Sequence, residues 1–382
     1  MNGEAGGGRR EAGGAARLAE LAPAHVRAIA PYVPGKPISE TARELGMDES
    51  SILKMASNEN PLGPSPRALE AIRAALDDLA YYPDGSGYDL KAALQRHFGV
   101  APERLVLGNG SNDVLELVGR GFLTPADSAV YSRHAFLVYP LLVQAVGARH
   151  IEVPAKDFGT DLDALLAAIR PDTKIVFLAN PNNPTGTFNE WPQVERFLAR
   201  VPARVLVVID EAYGEYLPPS LKSPTLGWLD RYPNLVVTRT LSKAYGLAGL
   251  RIGYAAAHRD VADVMNRVRQ PFNVNHLALV AACAALDDEA FIAKSREVNA
   301  AGLRQLEEGF RRLGLEFIPS QGNFIAVRVG DAPRIYSALL AQGVIVRPIA
   351  GYGLPEHLRV TVGLPEHNER FLAALQGVLA KG

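Results

Sequence analysis

The stretch RVLVVIDEAYGEY, residues 204–216, indicates the fold most directly. It begins with an apolar run that lacks polar alternation, as in a strand buried on both faces of a parallel sheet. The run ends at two acids, Asp210 and Glu211, and Tyr213 follows. An acid at the end of a buried strand is costly unless it meets a cation, so Asp210 indicates a charged partner there. A helix N-cap is the alternative interpretation of the same aspartate.

Similar apolar runs recur on both sides of this stretch, and helical patterns fall between most of them. Strands that alternate with helices predict an α/β fold with a mostly parallel sheet and helices on both faces. Ligands of such sheets bind at the carboxyl ends of the strands, where the notable polar residues of this chain also lie. The further runs are RLVLGN (104–109), SAVYS (128–132), KIVFLAN (174–180), LVVTRT (235–240) and RIGYAAA (251–257).

The last third of the chain has a different pattern. A helical stretch from about residue 271 precedes mixed strand and helix patterns, which predict a smaller α+β unit. Residues 31–60 lack strand-helix alternation, and we expect them to pack on this unit or on a neighbouring subunit. The predicted organisation is a flexible leader (1–30), an N-terminal segment (31–60), a large domain (61–270) and a small C-terminal domain (271–382).

Composition restricts the class of protein. The 382 residues include 40 basic and 41 acidic side chains, and the net charge of −1 gives no sign of a nucleic-acid or membrane partner. The single cysteine excludes an intrachain disulfide and agrees with a reducing compartment. No apolar run has the length of a membrane span, and residues 1–20 lack the apolar core of a secretory signal. We therefore expect a cytoplasmic protein.

A lone lysine, Lys243, lies among small and apolar residues in RTLSKAYGLAGLRIGY, residues 239–254. Partial burial destabilises an ammonium group, so a neutral nucleophilic amine becomes accessible there. A solvated surface lysine is the simpler interpretation of Lys243 taken alone. The nearby Thr240, Ser242 and Arg251 are side chains that can hold a phosphate.

Two turns that follow predicted strands add further polar groups. In FLANPNNPTG (177–186) the prolines and glycine force a turn that can present the Asn183 amide, although turn formation alone also explains the motif. In VLGNGSNDVLELVGRGF (106–122) a glycine turn precedes a helix whose free N–H groups can bind phosphate. This turn matches neither the P-loop nor the Rossmann fingerprint.

One ligand satisfies all of these groups at once. It carries an aldehyde for Lys243, a basic ring nitrogen for Asp210, a ring oxygen for Asn183 and Tyr213, and a phosphate for the glycine turn and Arg251. These are the groups of pyridoxal 5′-phosphate, which proteins bind through a lysine and an acidic partner to the ring nitrogen. No metal site is predicted.

The motifs that carry a family resemblance are MASNENPLGPSP (55–66), YYPDG (81–85), GNGSNDVL (108–115), NPNNPTG (180–186), DEAYGEY (210–216), TLSKAYGLAGLRIGY (240–254) and LRVTVG (358–363). In this order they resemble the fold-type I pyridoxal-phosphate aminotransferases, specifically the histidinol-phosphate aminotransferase group. The resemblance covers nearly the whole chain. It implies a mostly parallel seven-stranded sheet between helices, a smaller α+β domain, and a homodimer. The implied reaction converts L-histidinol phosphate and 2-oxoglutarate to imidazole-acetol phosphate and glutamate.

The resemblance also implies roles for the catalytic residues. Lys243 would bind the cofactor aldehyde and move the proton of the substrate. Asp210 would keep the ring nitrogen protonated, and Tyr213 with Asn183 would bond the ring oxygen. Phe136 of SRHAFLVYP would stack on the ring, although many relatives carry a different stretch before that aromatic residue.

Binding roles follow from the same resemblance. The cofactor phosphate would be held by the backbone of Ser111 and Asn112 and by the side chains of Thr240, Ser242 and Arg251. Tyr82 would reach the phosphate of the partner subunit's cofactor. The substrate would contact Tyr32, Asn60, Arg347 and Arg359.

Other activities fit the same residues. An aromatic-amino-acid aminotransferase would share the fold, cofactor and residues, and no residue excludes it. A threonine-phosphate decarboxylase shares much of the motif set. A cofactor-sensing regulator would need a DNA-binding domain, and the stretch before residue 31 has no helix-turn-helix pattern, so we expect none.

Overall fold

The structure, a computed structural model, describes residues 18–32 and 34–381. Its strands are β1 (Leu53–Lys54), β2 (Leu105–Gly108), β3 (Ser128–Ser132), β4 (Arg149–Val153), β5 (Thr173–Ala179), β6 (Leu206–Asp210), β7 (Leu235–Thr240), β8 (Gly253–Ala257), β9 (Phe317–Ile318), β10 (Phe324–Arg328), β11 (Val344–Ile345), β12 (Arg347–Pro348) and β13 (His357–Thr361).

Its helices are α1 (Ala24–Arg27), α2 (Ile38–Leu45), α3 (Pro66–Ala74), α4 (Tyr88–Phe98), α5 (Ser111–Phe122), α6 (Val138–Val146), α7 (Leu162–Ala167), α8 (Trp191–Leu198), α9 (Arg259–Val268), α10 (His276–Leu286), α11 (Glu289–Arg312), α12 (Ala332–Leu340) and α13 (Pro365–Leu379). Short 3₁₀ turns lie at Glu49–Ser51, Leu76–Ala80, Pro102–Arg104, Gly214–Tyr216, Pro219–Leu221, Thr225–Trp228, Ala248–Leu250 and Ala350–Tyr352.

The large sheet has seven strands in the order β2-β8-β7-β6-β5-β3-β4. Strand β8 runs antiparallel to both of its neighbours, and the other pairs are parallel. The predicted α/β fold with a mostly parallel seven-stranded sheet is therefore confirmed. Register places the last residues of β5 and β6, Ala179 and Asp210, side by side.

Both faces of this sheet are buried, because side chains along each strand point alternately to one face and the other. Val207 and Ile209 of β6 belong to a core that includes residues of α3, α4, α7, α8 and α10. Val208 of the same strand belongs to a second core, formed with α5, α6 and α9. Continuous apolar runs in the sequence are the direct consequence of this double burial.

Strand β4 was not among the apolar runs found in the sequence. Its residues Arg149, His150 and Glu152 are exposed, and among the described strands it pairs with β3 alone, at the sheet edge. An edge strand needs few apolar side chains, so its signal was too weak to separate it from a loop.

The C-terminal unit contains an antiparallel sheet in the order β12-β13-β10-β9, with a third core that includes residues of α11, α12 and α13. Leu53 and Met55 belong to this core, and β1 pairs with β11, which attaches the segment 31–60 to this unit. Helix α10 instead packs into the first core of the large unit. The structure differs here from the predicted boundary at residue 270, because the apolar surface of α10 is buried by α3 and α4. The other domain boundaries stay predictions.

The predicted flexible leader falls largely outside the described residues, since residues 1–17 are not described. Within it, residues 24–27 form α1, and the Gln144 side-chain amide of α6 donates to the His25 carbonyl oxygen over 3.2 Å. Among the described helices none combines the length and apolar character needed to span a membrane.

Candidate active site

A cavity of about 180 Å³ lies at the carboxyl ends of the central strands. Ala179, Asp210 and Thr240, the last residues of β5, β6 and β7, line it. The small unit contributes two arginines from β12 and β13. The predicted site residues in its lining are Tyr32, Ser111, Asn112, Phe136, Asn183, Asp210, Tyr213, Thr240, Ser242, Lys243, Arg251, Arg347 and Arg359.

Lys243 lies in the turn that follows β7. Its Nζ donates to the carbonyl oxygen of Ser57 over 3.1 Å. Burial and, next, the positive charge of Arg359 lower the pKa of Lys243 to about 8. Both effects disfavour the ammonium form, so a substantial fraction of the lysine is a neutral nucleophile at mildly alkaline pH.

Asp210 is buried at the end of β6, and both of its carboxylate oxygens accept hydrogen bonds. Thr238 Oγ1 donates to Oδ1 over 3.0 Å, and the Tyr139 hydroxyl donates to Oδ2 over 2.9 Å. Burial raises the pKa of Asp210, whereas the two hydroxyl donors act in the opposite direction. A carboxylate held in this way is suited to accept a further hydrogen bond from a cation in the cavity.

Tyr213 follows β6, and its hydroxyl accepts a hydrogen bond from Asn58 Nδ2 over 2.9 Å. Burial raises the pKa of Tyr213 to about 12, so the phenol remains protonated and keeps a hydrogen to donate. Asn58 has a φ of 55°, and its backbone N–H donates to Thr361 Oγ1 over 2.9 Å. This arrangement holds Tyr213 as a neutral donor to an oxygen acceptor in the cavity.

Arg359 joins the two units at the cavity. Its Nη1 donates to Asn183 Oδ1 over 2.6 Å, and its Nη2 donates to the carbonyl oxygen of Ala56 over 2.7 Å. Its Nε is buried and has no hydrogen-bond partner among the described residues. A fixed buried guanidinium with an unused donor is a suitable site for an anionic group.

An anion cradle lies where the Gly-Asn-Gly turn enters α5. The helix begins at Ser111 after Gly110, which has a φ of 85° and gives no side-chain cap to the free N–H groups. A Cβ atom added at Gly110 would lie 2.4 Å from Arg251 Nη2, and one added at Gly253 would lie 2.5 Å from the Ser111 nitrogen. The two glycines therefore allow a guanidinium and a helix N-terminus to face one small volume, as phosphate binding requires.

Aromatic side chains form the other walls of the cavity. Phe136 packs edge-on against Tyr139 with ring centroids 5.9 Å apart. The Arg347 guanidinium carbon lies 5.5 Å from the centre of the Tyr32 ring, a cation–π geometry that orients this arginine. Tyr352 also lines the cavity.

Comparisons with known proteins agree with this geometry. The family model described as aminotransferase class I and II matches residues 50–375. The chain belongs to the class I and II aminotransferases.

Curated relatives place it more narrowly in this family. Histidinol-phosphate aminotransferase 1 of Thiobacillus denitrificans is 62% identical over 362 residues, which cover 95% of this chain and 94% of the relative. Histidinol-phosphate aminotransferase 2 of Pseudomonas aeruginosa is 60% identical over 361 residues, which cover 94% of this chain and 98% of the relative. The aminotransferase described here is thus a member of the histidinol-phosphate aminotransferase group.

A solved relative has the same fold. Histidinol-phosphate aminotransferase from Sinorhizobium meliloti in complex with pyridoxal-5′-phosphate superposes with a TM-score of 0.86 at 31% identity, and the match covers 94% of this chain and 97% of that one. This likeness confirms the fold-type I architecture expected from the sequence.

Two predicted site residues of the aminotransferase lie outside the cavity. The Asn60 side chain donates to the Ala244 carbonyl oxygen over 2.8 Å and to Ser295 Oγ over 2.9 Å. The Asn60 amide is thus used within the protein, and Asn58 lines the cavity. A substrate contact of Asn60 stays a prediction. Tyr82 is 83% exposed and stacks on Phe272 with centroids 4.8 Å apart.

Three residues in the cavity lining or directly behind it were not predicted from the sequence. Asn58 lies in the SNEN motif, but only its left-handed backbone conformation shows which asparagine faces the cavity. Tyr139 lies in an apolar helical run, a pattern that indicates a core residue. Tyr352 follows a short irregular stretch that gave no signal. Of the three, Tyr139 was the most accessible to prediction, because a tyrosine in a fully apolar run needs a buried partner for its hydroxyl.

Proposed function

We propose that this chain transfers the amino group of L-histidinol phosphate to 2-oxoglutarate, giving imidazole-acetol phosphate and L-glutamate. The observation that carries the proposal is the convergence of Lys243, Asp210 and Arg359 on one cavity in a chain that is 62% identical to a histidinol-phosphate aminotransferase. The relatives named above support this amino donor over the aromatic-amino-acid alternative.

The residues present fit pyridoxal 5′-phosphate as the cofactor. The cradle formed by Gly110, Gly253 and Arg251 is open to a phosphate, since a Cβ atom at either glycine would close it. Ser111 and Asn112 would add backbone donors, and Thr240 and Ser242 would add hydroxyls. Asp210 would meet the ring nitrogen, and Asn183 with Tyr213 would bond the ring oxygen. Phe136 would stack on the ring, and Lys243 would bind the aldehyde carbon.

When bound, the cofactor supplies an electron sink for the substrate carbon that loses its proton. The chain supplies the proton transfer. Lys243 Nζ would take the proton from Cα of the amino donor, because its lowered pKa keeps a neutral amine available. Asp210 would hold a positive charge at the ring nitrogen, and Tyr213 would donate to the ring oxygen.

The anionic end of each substrate would bind the two arginines of the small unit. L-histidinol phosphate presents a phosphate and 2-oxoglutarate presents carboxylates, and a planar guanidinium donates paired hydrogen bonds to either anion. Arg359 offers its buried Nε to this site. Arg347 and Tyr32 would close its outer side.

We also propose a homodimer in which Tyr82 reaches the phosphate of the partner subunit's cofactor. Tyr82 is one of a group of exposed large side chains. The group consists of Tyr82 (83% exposed), Tyr81 (77%), Tyr88 (73%), Leu79 (57%) and Phe272 (46%). Exposed aromatic residues in this number are typical of protein interfaces. The near-neutral net charge of −1 supports no nucleic-acid or membrane partner, and we propose a cytoplasmic location.

The test is a single half reaction. Purified protein would be mixed with one amino donor at a time, without an oxo acid, and loss of the visible cofactor band would be followed. Fast loss with L-histidinol phosphate and slow loss with phenylalanine, tyrosine and threonine phosphate would support the proposal. Faster loss with the aromatic amino acids would contradict the substrate, and a wild-type protein without a visible band would contradict the cofactor. Lys243→Ala is the control that should give no donor-dependent change.

A further inference from the structure

The Tyr139 hydroxyl donates to Asp210 Oδ2 over 2.9 Å from helix α6. Asp210 lines the cavity, whereas Tyr139 lies behind it and does not. We propose that Tyr139 is a positioning residue that keeps Asp210 ionised and oriented toward the cofactor ring nitrogen. The inference rests on the proposed function, because Tyr139 has this task only where Asp210 meets a pyridine nitrogen.

Tyr139 is held firmly in place. It is fully buried, and its ring stacks on Phe177 with centroids 4.7 Å apart and planes 8° apart. Phe136 contacts the same ring edge-on. Phenylalanine at position 139 would make both contacts, so packing does not account for the hydroxyl. A buried hydroxyl is costly without a partner, and Asp210 is the partner that the structure provides.

The hydrogen bond acts on the charge of Asp210. Burial favours the neutral acid, and donors to the carboxylate favour the ion. Tyr139 from α6, Thr238 from β7 and the Ala212 backbone N–H are these donors. The Tyr139 phenol remains a donor at every ordinary pH, because burial and the adjacent Asp210 charge raise its own pKa well above the usual value.

Other titratable groups near Asp210 do not replace this donor. The negative charge of Glu211 raises the pKa of Asp210. Arg239 forms an ion pair with Glu211 over 2.7 Å. Tyr213 accepts a hydrogen bond from Asn58 and lines the cavity, where it is the proposed donor to the ring oxygen. Tyr139 and Thr238 are therefore the side chains that shift the proton shared by Asp210 and the ring nitrogen toward the nitrogen.

The consequence is a proton-position effect. Without the Tyr139 hydroxyl, the protonated form of Asp210 becomes more populated relative to its carboxylate. The proton that Asp210 and the ring nitrogen share therefore moves toward Asp210. Loss of one hydrogen bond to a charged group corresponds to a change of about tenfold or more in the ratio of protonated to ionised Asp210. The weaker positive charge on the ring would lower kcat about tenfold while KM changes little.

The experiment uses holoenzyme reconstituted with cofactor labelled with ¹⁵N in the ring. Tyr139→Phe should move the ring nitrogen resonance toward the unprotonated value at fixed pH, and it should lower kcat about tenfold. Tyr131→Phe is the matched control, because Tyr131 is also buried and its hydroxyl bonds the His150 ring nitrogen over 2.9 Å, away from the cavity. It should leave the resonance in place. Thr238→Val, which removes the second donor, should move the resonance in the same direction and serves if Tyr139→Phe does not fold.

The outcomes separate this inference from the proposed function. A wild-type enzyme that transaminates L-histidinol phosphate, with a resonance unchanged by Tyr139→Phe and by Thr238→Val, would overturn the inference alone. Loss of activity in Tyr139→Phe with an unchanged resonance would also overturn it, since the tyrosine would then be only structural. A wild-type protein that binds no cofactor would overturn the proposed function and this inference together.

Discussion

Arg359 Nη1 donates to Asn183 Oδ1 over 2.6 Å, and this bond connects β13 of the small unit to the turn after β5 of the large sheet. One side chain thus faces the proposed ring-oxygen ligand and the proposed substrate anion. Because a guanidinium has several fixed donors, Arg359 can serve both, whereas a lysine ammonium cannot reproduce the geometry.

Arg359→Lys is expected to raise KM for L-histidinol phosphate and for 2-oxoglutarate, each by about tenfold to a hundredfold, since charged hydrogen bonds are lost. Steady-state kinetics with each substrate varied would measure this. Arg328→Lys is the control, because Arg328 on β10 forms ion pairs with exposed Glu316 and Glu356, and neither glutamate lines the cavity. A KM that rises for one substrate alone would show that the two anions bind different arginines.

Lys243 should have a reactivity that changes near neutral pH in the cofactor-free protein. Its pKa is lowered from 10.5 to about 8, so the ammonium predominates below pH 8 and the reactive amine predominates above it. Reductive methylation from pH 6 to 10, followed by peptide mass spectrometry, should show a midpoint near pH 8. A midpoint near the ordinary value of 10.5 would contradict the environment described for this lysine.

The lowered pKa of Lys243 also affects stability. Between pH 8 and 10.5 the unfolded chain binds more protons at this residue than the folded chain does, so its contribution to the free energy of unfolding rises with pH there. Cofactor-free Lys243→Met should lack this rise. Urea unfolding of both proteins at pH 7.5 and 9.5 would compare the two slopes.

Asn58 and Asn60 should respond differently to substitution. Asn58→Gly, which keeps the left-handed backbone conformation, removes the donor to the Tyr213 hydroxyl and should weaken cofactor binding about fivefold to tenfold, the effect of one hydrogen bond. Asn60→Ala removes bonds to Ala244 and Ser295 and should lower the free energy of unfolding instead. Cofactor titration and urea unfolding of both variants would measure these effects. Equal loss of cofactor affinity in the two variants would contradict the distinction.

The ion pair of Arg239 with Glu211 is buried, and Ser223 and Thr225 also donate to the glutamate. Arg239→Met should destabilise the cofactor-free protein by about 3–5 kcal/mol, because it leaves a buried unpaired carboxylate. Arg149→Met removes the surface pair with Asp172 and should cost less than about 1 kcal/mol. Urea unfolding measures the free energy of unfolding of both variants. A loss for Arg239→Met as small as that for Arg149→Met would contradict the burial of the pair between Arg239 and Glu211.

Hybrid dimers would test the proposed role of Tyr82. If Tyr82 serves the partner subunit's cofactor, a hybrid of Tyr82→Ala and Lys243→Ala chains contains one site with neither change. Random mixing should then restore roughly a quarter of the wild-type activity, because half of the dimers are hybrids and each has one intact site. Mixtures that remain as inactive as their components would exclude a contribution across the interface.

Sequence reasoning worked best for residues that follow buried strands. Asp210, Asn183 and Lys243 each come directly after an apolar run, and parallel strands bring their carboxyl ends to one edge. It failed where the side-chain direction depends on a backbone conformation, as at Asn58, or on a tertiary partner, as at Tyr139. Helix α10 was assigned to the wrong unit because apolar periodicity shows that a helix is buried but not which core buries it.

The bond from the Asn58 backbone to Thr361 joins residues 303 positions apart. Synthesis proceeds from the N-terminus, so the ribosome must deliver nearly all of this chain before the bond can form. Most of the large sheet, including the strand that carries Asp210, is translated well before β13. Nascent chains therefore acquire the hydrophobic framework first and the ability to retain substrate last, which makes C-terminal truncation a sensitive way to separate folding from catalysis.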